Sequence, residues 1–226
     1  MLPFNRDLKK VFLANSSEEN AKPMKKYMRD QFDFFGIPST ARREISKEFM
    51  KSKPLPEGEA MRKVVKELWS LPEREYQYFG MELFMKLNKQ WNEKEHVLIE
   101  ELIVNKSWWD TVDYIASHIA GDYFKKFPDQ IETVTGKWNH SKNIWLQRTS
   151  LLFQLKYKKQ TDFKLLSRYI QQLSGSKEFF IKKAIGWILR EYSKTNPVTV
   201  KKFLKEHPLA PLSKREAMKV MTRVND

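Results

Sequence analysis

Apolar residues recur at helical spacing along almost the whole chain, and this periodicity restricts the fold more than any other feature of the sequence. The alternation of apolar and polar residues that half-buried strands require is almost absent. Only 7 glycines accompany long runs rich in lysine, glutamate, leucine and methionine, which is a composition typical of helices. We therefore predict an all-α fold.

Short breaks at proline, glycine and serine divide this pattern into successive helices. Because no proline-, glycine- or serine-rich linker interrupts the series, we expect a single domain over residues 1–226. We expect N-caps at Ser39 or Thr40, at Ser176 and at Ser213. The predicted helices cover residues 3–14, 17–35, 39–49, a segment around 64–69 that ends before Pro72, 73–87, 93–104, 107–119, 122–126, a segment after Pro128, 141–156, 161–173, 176–194, 197–206 and 212–223.

A weak internal repeat suggests that the helices stack as pairs. The segment that begins at Ser141 resembles the segment that begins at Ser176, at a shift of 35 residues. The same shift relates Asp113, Arg148 and Lys183. Equivalent positions on successive repeats lie along one surface of a helical stack. We therefore expect a superhelical solenoid of antiparallel helix pairs with a concave basic face.

The charge balance favours a polyanionic partner. The formal net charge is +14, from 42 basic and 28 acidic residues, which indicates nucleic acid ahead of an anionic membrane surface. The N-terminus lacks the apolar run of a signal peptide, and no stretch of 18 apolar residues follows. We expect a soluble, cytoplasmic protein without a membrane partner.

Several classes of chemistry lack their sequence signals. The absence of cysteine excludes disulfides, cysteine nucleophiles and cysteine-based zinc sites. The four histidines show no metal-binding spacing, and the chain contains no Walker loop, GxGxxG or GxSxG motif. We therefore expect no metal and no cofactor.

The central segment, residues 107–119, is predicted to form one helix with two different faces. Ser107 is expected to cap the helix, with Asp110 in its first turn. Trp109 and Asp113 lie one turn apart, so an indole and a carboxylate stand side by side on a strongly basic chain. They occupy a face next to the apolar stripe formed by Trp108, Val112, Ile115 and Ile119.

The helix after Ser176 repeats this arrangement with cations. Lys183, Trp187 and Arg190 fall at i, i+4 and i+7, away from the apolar stripe. A tryptophan between cations suits a phosphate backbone and a flat, electron-poor group. Arg148 and Lys156, eight residues apart on one predicted helix, extend the basic side. The alternative is that the cations form a solvated face, that Trp187 fills a gap between helices, and that Asp113 is an ordinary surface acid.

Long motifs, in the same order along nearly the whole chain, resemble AlkD-type DNA glycosylases, a family of HEAT-like repeat enzymes. The motifs are Leu71–Glu75, Lys106–Asp113, Asn143–Arg148, Ser176–Tyr192 and Leu212–Ala217. One departure is Pro38, which stands where the family's best-known member has glutamine.

The resemblance implies a superhelix that holds double-stranded DNA and excises cationic alkylated purines, such as N3-alkyladenine and N7-alkylguanine, without drawing the base into a pocket. It implies that Trp109, Asp113 and Trp187 form the reactive cleft and that Arg148 secures the DNA backbone. Tyr27, Lys156 and Arg190 match supporting positions, and the spacing adds Lys183 to the DNA-binding candidates. We expect a monomer that leaves an abasic site without cutting the strand.

Two other interpretations remain open from the residues alone. The protein could be a non-catalytic helical-repeat binder of DNA or RNA, since a basic helical face does not require catalysis. It could also be a scaffold whose basic side meets acidic proteins. A carboxylate beside tryptophan favours the enzyme, because departure of an already cationic purine needs no general acid and one negative group can stabilise the sugar.

Overall fold

A computed structural model describes residues 1–221, and these residues form helices and connecting segments without a β-strand. The all-α prediction is confirmed. The α-helices are α1 Pro3–Ala14, α2 Glu18–Tyr27, α3 Ser39–Ser52, α4 Gly58–Ser70, α5 Arg74–Lys86, α6 Glu95–Val104, α7 Trp109–Tyr114, α8 Gly121–Lys126, α9 Gly136–His140, α10 Ile144–Leu152, α11 Phe163–Leu173, α12 Phe179–Ser193, α13 Pro197–Glu206 and α14 Pro211–Met218.

Shorter helical turns complete the chain. Single 3-10 turns cover Asn88–Gln90, Pro128–Gln130 and Lys158–Gln160, and π-helical segments cover Ile115–Ala120 and Ile131–Thr135. The chain divides into two compact units, residues 1–92 and the residues from Glu93 onward. The single domain over residues 1–226 stays a prediction. None of the helices within residues 1–221 is long and apolar enough to cross a membrane.

The first unit has an aromatic core. Phe12 is fully buried and packs against Tyr76 and Phe79 of α5, with ring centroids 5.8 and 6.2 Å away. Phe35 joins this cluster from the segment after α2, 5.2 Å from the ring of Tyr76. The Phe12–Phe79 and Phe35–Tyr76 pairs are edge-to-face contacts, which add stability beyond that of the buried area.

The predicted helix over residues 17–35 was wrong in its second half. Helix α2 ends at Tyr27, because Arg29 and Asp30 adopt left-handed backbone conformations with φ of 55° and 58°. The following segment is held instead by Glu75, whose carboxylate accepts hydrogen bonds from the backbone N–H groups of residues 35, 36 and 37 at 3.1, 2.9 and 3.2 Å. A distant carboxylate therefore replaces the predicted helical hydrogen bonds.

In the second unit, α12 packs against α10, α13 and α14, and α10 also contacts α6, α7, α9 and α11. Helix α7 continues through the π-helical segment Ile115–Ala120 into α8. The separately predicted helices 107–119 and 122–126 are therefore one continuous helical run. Val112, Ile115 and Ile119 are fully buried along it, as their spacing predicted.

The predicted starts of α7 and α10 and the predicted N-cap of α14 were wrong. Ser107 does not cap α7, because its hydroxyl donates to the carbonyl of Ile103 in the preceding helix at 2.6 Å. Helix α10 begins after Asn143, whose side chain accepts from two backbone N–H groups, and not at Ser141. The buried Ser213 donates to the carbonyl of Lys182 at 2.9 Å and does not cap α14.

Three further boundary predictions differ from the structure. Ser176 accepts a hydrogen bond from the backbone N–H of Glu178, but Glu178 occupies the N-cap position of α12. Pro38, and not Ser39 or Thr40, occupies that position in α3. Helix α14 ends at Met218, and the last two residues of the predicted helix 212–223 lie outside the described residues.

Candidate active site

A cleft of about 400 Å³ in the second unit brings together most of the predicted site residues. Helices α7, α10, α12 and α14 form its walls, and each contributes at least one polar or aromatic side chain. The lining residues are Trp109, Asp113, Arg148, Phe179, Phe180, Lys183, Trp187, Arg190 and Glu216. The 35-residue shift predicted that Asp113, Arg148 and Lys183 would share one surface, and the structure places all three in this cleft.

Asp113 of α7 and Arg148 of α10 form a bidentate ion pair. The Nε and Nη2 atoms of Arg148 donate to Oδ1 and Oδ2 of Asp113 at 2.7 and 2.9 Å. The remaining guanidinium nitrogen, Nη1, donates to the carbonyl oxygen of Phe180 at 2.5 Å. The Arg148 side chain is 5% exposed and that of Asp113 is 17% exposed. The guanidinium thus fixes the direction of a carboxylate that still reaches the cleft.

This pairing leaves Asp113 with hydrogen-bonding capacity. An ionised carboxylate offers about four lone-pair positions, and the Arg148 fork occupies one on each oxygen. The remaining positions can accept a hydrogen bond from water or face a positive charge. The role suggested by resemblance for Arg148, a contact to the DNA backbone, competes with this ion pair, because each of its three guanidinium nitrogens already donates a hydrogen bond to a protein oxygen.

Two indoles line the cleft together with the carboxylate. Trp109 is the first residue of α7 and Trp187 lies in the middle of α12, and both are half-buried. Trp108 takes the packing role instead, with its ring 5.4 Å from Phe180 and 5.9 Å from Trp145. The alternation of a packing and a cleft-lining tryptophan follows from their adjacent positions at the start of α7.

Lys183 and Arg190 reach the cleft from α12, and both are bound by Glu216 of α14. Lys183 Nζ donates to Oε1 at 2.9 Å, and Arg190 Nη1 donates to Oε2 at 3.0 Å. Lys219 adds a third cation at 2.8 Å. Its hydrogen bond, with that of Lys183 and the charge of both ammonium groups, lowers the pKa of Glu216 to about 2 although burial opposes the shift.

Two predicted DNA-binding residues do not line this cleft. Lys156 lies beyond the end of α10, so the prediction that it shares a helix with Arg148 was wrong. Its ammonium group contacts Nε2 of His118, a ring stacked on Tyr114 at 4.3 Å. Burial and the neighbouring ammonium lower the pKa of His118. Tyr27 belongs to the first unit, where its side chain is 70% exposed at the end of α2.

Three residues of the cleft were not among the predicted site residues, namely Glu216, Phe179 and Phe180. Glu216 had no predicted role, although a single acid between Arg215 and Lys219 on a basic helix is a recognisable signal for an ion-pair centre. Phe179 was not singled out, and its ring is 57% exposed at the start of α12. Within residues 1–221, no three histidine, aspartate or glutamate side chains converge as metal ligands would.

Comparisons with known proteins identify the family of this chain. The family model described as DNA alkylation repair enzyme matches residues 8–221. Comparison with curated protein sequences gives no match. Among solved structures, a "predicted DNA alkylation repair enzyme" from Enterococcus faecalis is 33% identical, with a TM-score of 0.85 over 92% of this chain and 98% of that one.

Two more distant structures share the fold. AlkD2 from Streptococcus mutans is 20% identical, with a TM-score of 0.63 over 87% of this chain and 98% of that one. The protein smu.31 from Streptococcus mutans UA159 is 19% identical, with a TM-score of 0.60 over 80% of this chain and 91% of that one. These two similarities support the predicted helical-repeat architecture. The family match over residues 8–221, with the 33% identical structure, establishes that the chain belongs to the DNA alkylation repair enzyme family.

Proposed function

We propose that this protein is a monofunctional DNA glycosylase that hydrolyses the N-glycosidic bond of cationic alkylated purines in duplex DNA. The observation that carries the proposal is the cleft itself, in which Asp113, held by Arg148, shares the lining with Trp109, Trp187, Lys183 and Arg190. Cations suit the phosphate backbone, and a single oriented carboxylate suits a sugar that becomes positive.

The chemistry needs one negative group and no general acid. An N3-alkyladenine or N7-alkylguanine carries a positive charge, so the electrons of the breaking C1′–N9 bond neutralise the departing base. Positive charge then develops on the deoxyribose. Asp113 stabilises that charge and orients a water molecule, whose oxygen bonds to C1′ and whose proton passes to the carboxylate or to solvent. One such electrostatic partner typically contributes about 100- to 1,000-fold in rate.

The indoles support the same transition state. Tryptophan attracts a cation over its ring face by about 0.5–2 kcal/mol, depending on exposure. Trp109 and Trp187 line the cleft with Asp113, so a deoxyribose placed there is next to two indoles and a carboxylate. Among the ionisable groups that line the cleft, the cations Arg148, Lys183 and Arg190 are already bound to carboxylates, and we assign none of them a role as an amine nucleophile.

The polar lining of the cleft also supports catalysis without a base-binding pocket. A pocket that reads a flipped base uses hydrogen bonds to the base edge and stacking on the base faces. Apart from the carboxylates engaged in ion pairs and the N–H groups of the two indoles, the polar groups of this cleft are cations. They suit phosphate better than a purine edge. We therefore propose that the base stays outside the protein during excision.

The direct test is incubation with methylated duplex DNA and chromatographic identification of the released bases. We expect 3-methyladenine and 7-methylguanine, with abasic sites and no cut strands. Bulky groups on N7 should be tolerated, because the alkyl group does not enter a confined pocket. Release of unmodified purines, or strand cleavage in step with base release, would contradict the assignment.

A non-catalytic DNA-binding function is the second candidate, and one observation favours it. Both oxygens of Asp113 accept hydrogen bonds from Arg148, which is the geometry of an ion pair that braces two helices. If bracing were the only function of Asp113, Asp113→Asn would change the stability of the protein, and neither the variant nor the wild type would release a base. Absence of base release from every alkylated substrate, with intact DNA binding, would favour this candidate.

A further inference from the structure

Glu216 lies at the centre of an ion cluster on the wall of the cleft. Its side chain is 6% exposed, while those of Lys183 and Arg190 are 37% and 26% exposed. The two cations are seven residues apart on α12, so about two helical turns separate their Cα atoms. A single carboxylate, whose Oε1 accepts from Lys183 and Lys219 and whose Oε2 accepts from Arg190, therefore bridges the helical segment that carries Trp187.

The close approach of α14 to α12 makes this bridge possible. Gly186, directly before Trp187, faces α14, and a Cβ atom added to it would lie 2.4 Å from Cβ of Glu216 and 2.8 Å from the carbonyl oxygen of Ser213. Ser213 also donates a hydrogen bond to the carbonyl of Lys182. Glu216 is thus brought against α12 by backbone packing, and its carboxylate reaches the cations without depending on a flexible surface contact.

A carboxylate here opposes simple DNA affinity. Glu216 is one of the lining residues of a cleft whose proposed ligand is a polyanion, so its negative charge repels phosphate. Lysine and arginine side chains lose considerable rotamer freedom when they are fixed. A buried acid that restrains two of them therefore weakens electrostatic attraction while it defines where their charges stand.

We infer that Glu216 is a positioning residue, which fixes Lys183 and Arg190 on either side of Trp187 so that DNA phosphates seat the lesion sugar against Asp113. This inference rests on the proposed glycosylase function for its catalytic consequence. Its structural part, the ordering of two cations by one carboxylate, is independent of the reaction.

The test is a comparison of Glu216→Gln with the wild type in single-turnover base release and in DNA binding. We expect at least a tenfold slower release from bound DNA, with the dissociation constant unchanged or lower because a negative charge is gone. A variant that merely lost stability would lose affinity and rate together. Unchanged release by a folded Glu216→Gln protein would overturn the inference.

Two control variants sharpen this result. Glu132→Gln makes the same charge change and breaks the Glu132–Arg168 pair, which lies outside the cleft, so its release rate should match the wild type. Glu216→Asp keeps the charge but retracts the carboxylate by about 1.5 Å, one carbon–carbon bond, and should give an intermediate rate. If Glu132→Gln slowed base release as much as Glu216→Gln does, the effect would come from net charge, which would contradict a positioning role for Glu216.

A readout without catalysis separates this inference from the proposed function. Side-chain nitrogen NMR of the free wild-type protein should show the Arg190 guanidinium more ordered than that of the exposed Arg6, and Glu216→Asp should reduce this order. If the wild type releases no base, the glycosylase proposal fails, and the NMR result alone decides whether Glu216 orders the cations. An Arg190 as mobile as Arg6 in the wild type would end the inference.

Discussion

Arg148 determines how Asp113 is presented, and the fork geometry makes this role specific to arginine. A lysine at this position would keep the charge but supply one compact point of contact. Three hydrogen bonds, two to Asp113 and one to the Phe180 carbonyl, depend on the planar guanidinium. Orientation and charge can therefore be separated by substitution at this one position.

We predict that Arg148→Lys slows single-turnover base release by about 10- to 100-fold, because misplacement of a catalytic group by about 1 Å has effects of this order. Arg148→Met should in addition destabilise the fold by about 3–5 kcal/mol, since it leaves a largely buried carboxylate without its partner. Urea unfolding and single-turnover kinetics on both variants measure the two effects. A fully active Arg148→Lys protein would show that the fork is dispensable.

Glu216 should leave a signature in the pH dependence of stability. Its pKa is lowered to about 2, first by the hydrogen bond from Lys219 and then by Lys183, from an ordinary value of 4.5. An acid whose pKa is depressed on folding contributes stability that is fully present above its unfolded pKa and lost as pH falls toward the folded value. The contribution should therefore decline between about pH 5 and pH 2.

The measurement compares the free energy of unfolding of the wild type and Glu216→Gln from pH 2 to pH 7. We expect the wild-type advantage to be constant above about pH 5 and to shrink at lower pH. A difference independent of pH would mean that the ion cluster does not contribute through the charge of Glu216.

At the scale of single elements, helix existence was easier to predict than helix ends. Helices α1 and α13 match the predicted bounds, because Pro3 and Pro197 define the first helical turn locally. The end of α2 was wrong because the segment after it is held by Glu75, about 40 residues away in sequence. Ser107 was assigned to the wrong helix because a serine hydroxyl can serve the helix on either side of it.

The same contrast applies to the site. Helical spacing and the 35-residue repeat sufficed to place Asp113, Arg148 and Lys183 near one another. The resemblance predicted a contact between Arg148 and the DNA backbone but not its ion pair with Asp113. That ion pair depends on the distance between α7 and α10, which no local sequence pattern encodes. Glu216 was missed for a related reason, since its approach to α12 requires Gly186 and Ser213 to meet across two helices.

Glu75 offers a test at the scale of elements. Burial raises its pKa although three backbone N–H groups donate to its carboxylate. When the pKa of an acid is raised on folding, the free energy of unfolding of the protein falls as pH rises from the unfolded pKa toward the folded pKa. Glutamine removes that charge and keeps an oxygen for the bonds from Gly36 and Ile37, but it cannot accept the bond from Phe35 with its nitrogen.

We therefore predict that Glu75→Ala destabilises the protein by several kcal/mol, because up to three buried donors lose their acceptor at about 1–3 kcal/mol each. Glu75→Gln should cost less, and substitution of the exposed Glu59 by glutamine should change stability by less than about 0.5 kcal/mol. Urea unfolding at pH 7 measures all three. Equal losses for the alanine and glutamine variants would contradict the role assigned to the carboxylate oxygens.

At the scale of the whole molecule, the net charge of +14 is the dominant property. A protein that neutralises about 6–10 phosphates loses about 1,000- to 100,000-fold in DNA affinity between 50 and 200 mM salt. We predict a loss in this range for undamaged duplex DNA, measured by fluorescence anisotropy over a salt series. A flat response would favour an acidic protein partner over DNA.

The central claim is that the Asp113 carboxylate stabilises the sugar as an alkylated purine departs. Its most direct test is single-turnover release of 7-methylguanine from duplex DNA by wild-type protein and by Asp113→Asn, with DNA affinity measured alongside. We predict a rate at least about 100-fold lower in the variant, while DNA affinity is unchanged or higher. Release at the wild-type rate by folded Asp113→Asn protein would contradict the account.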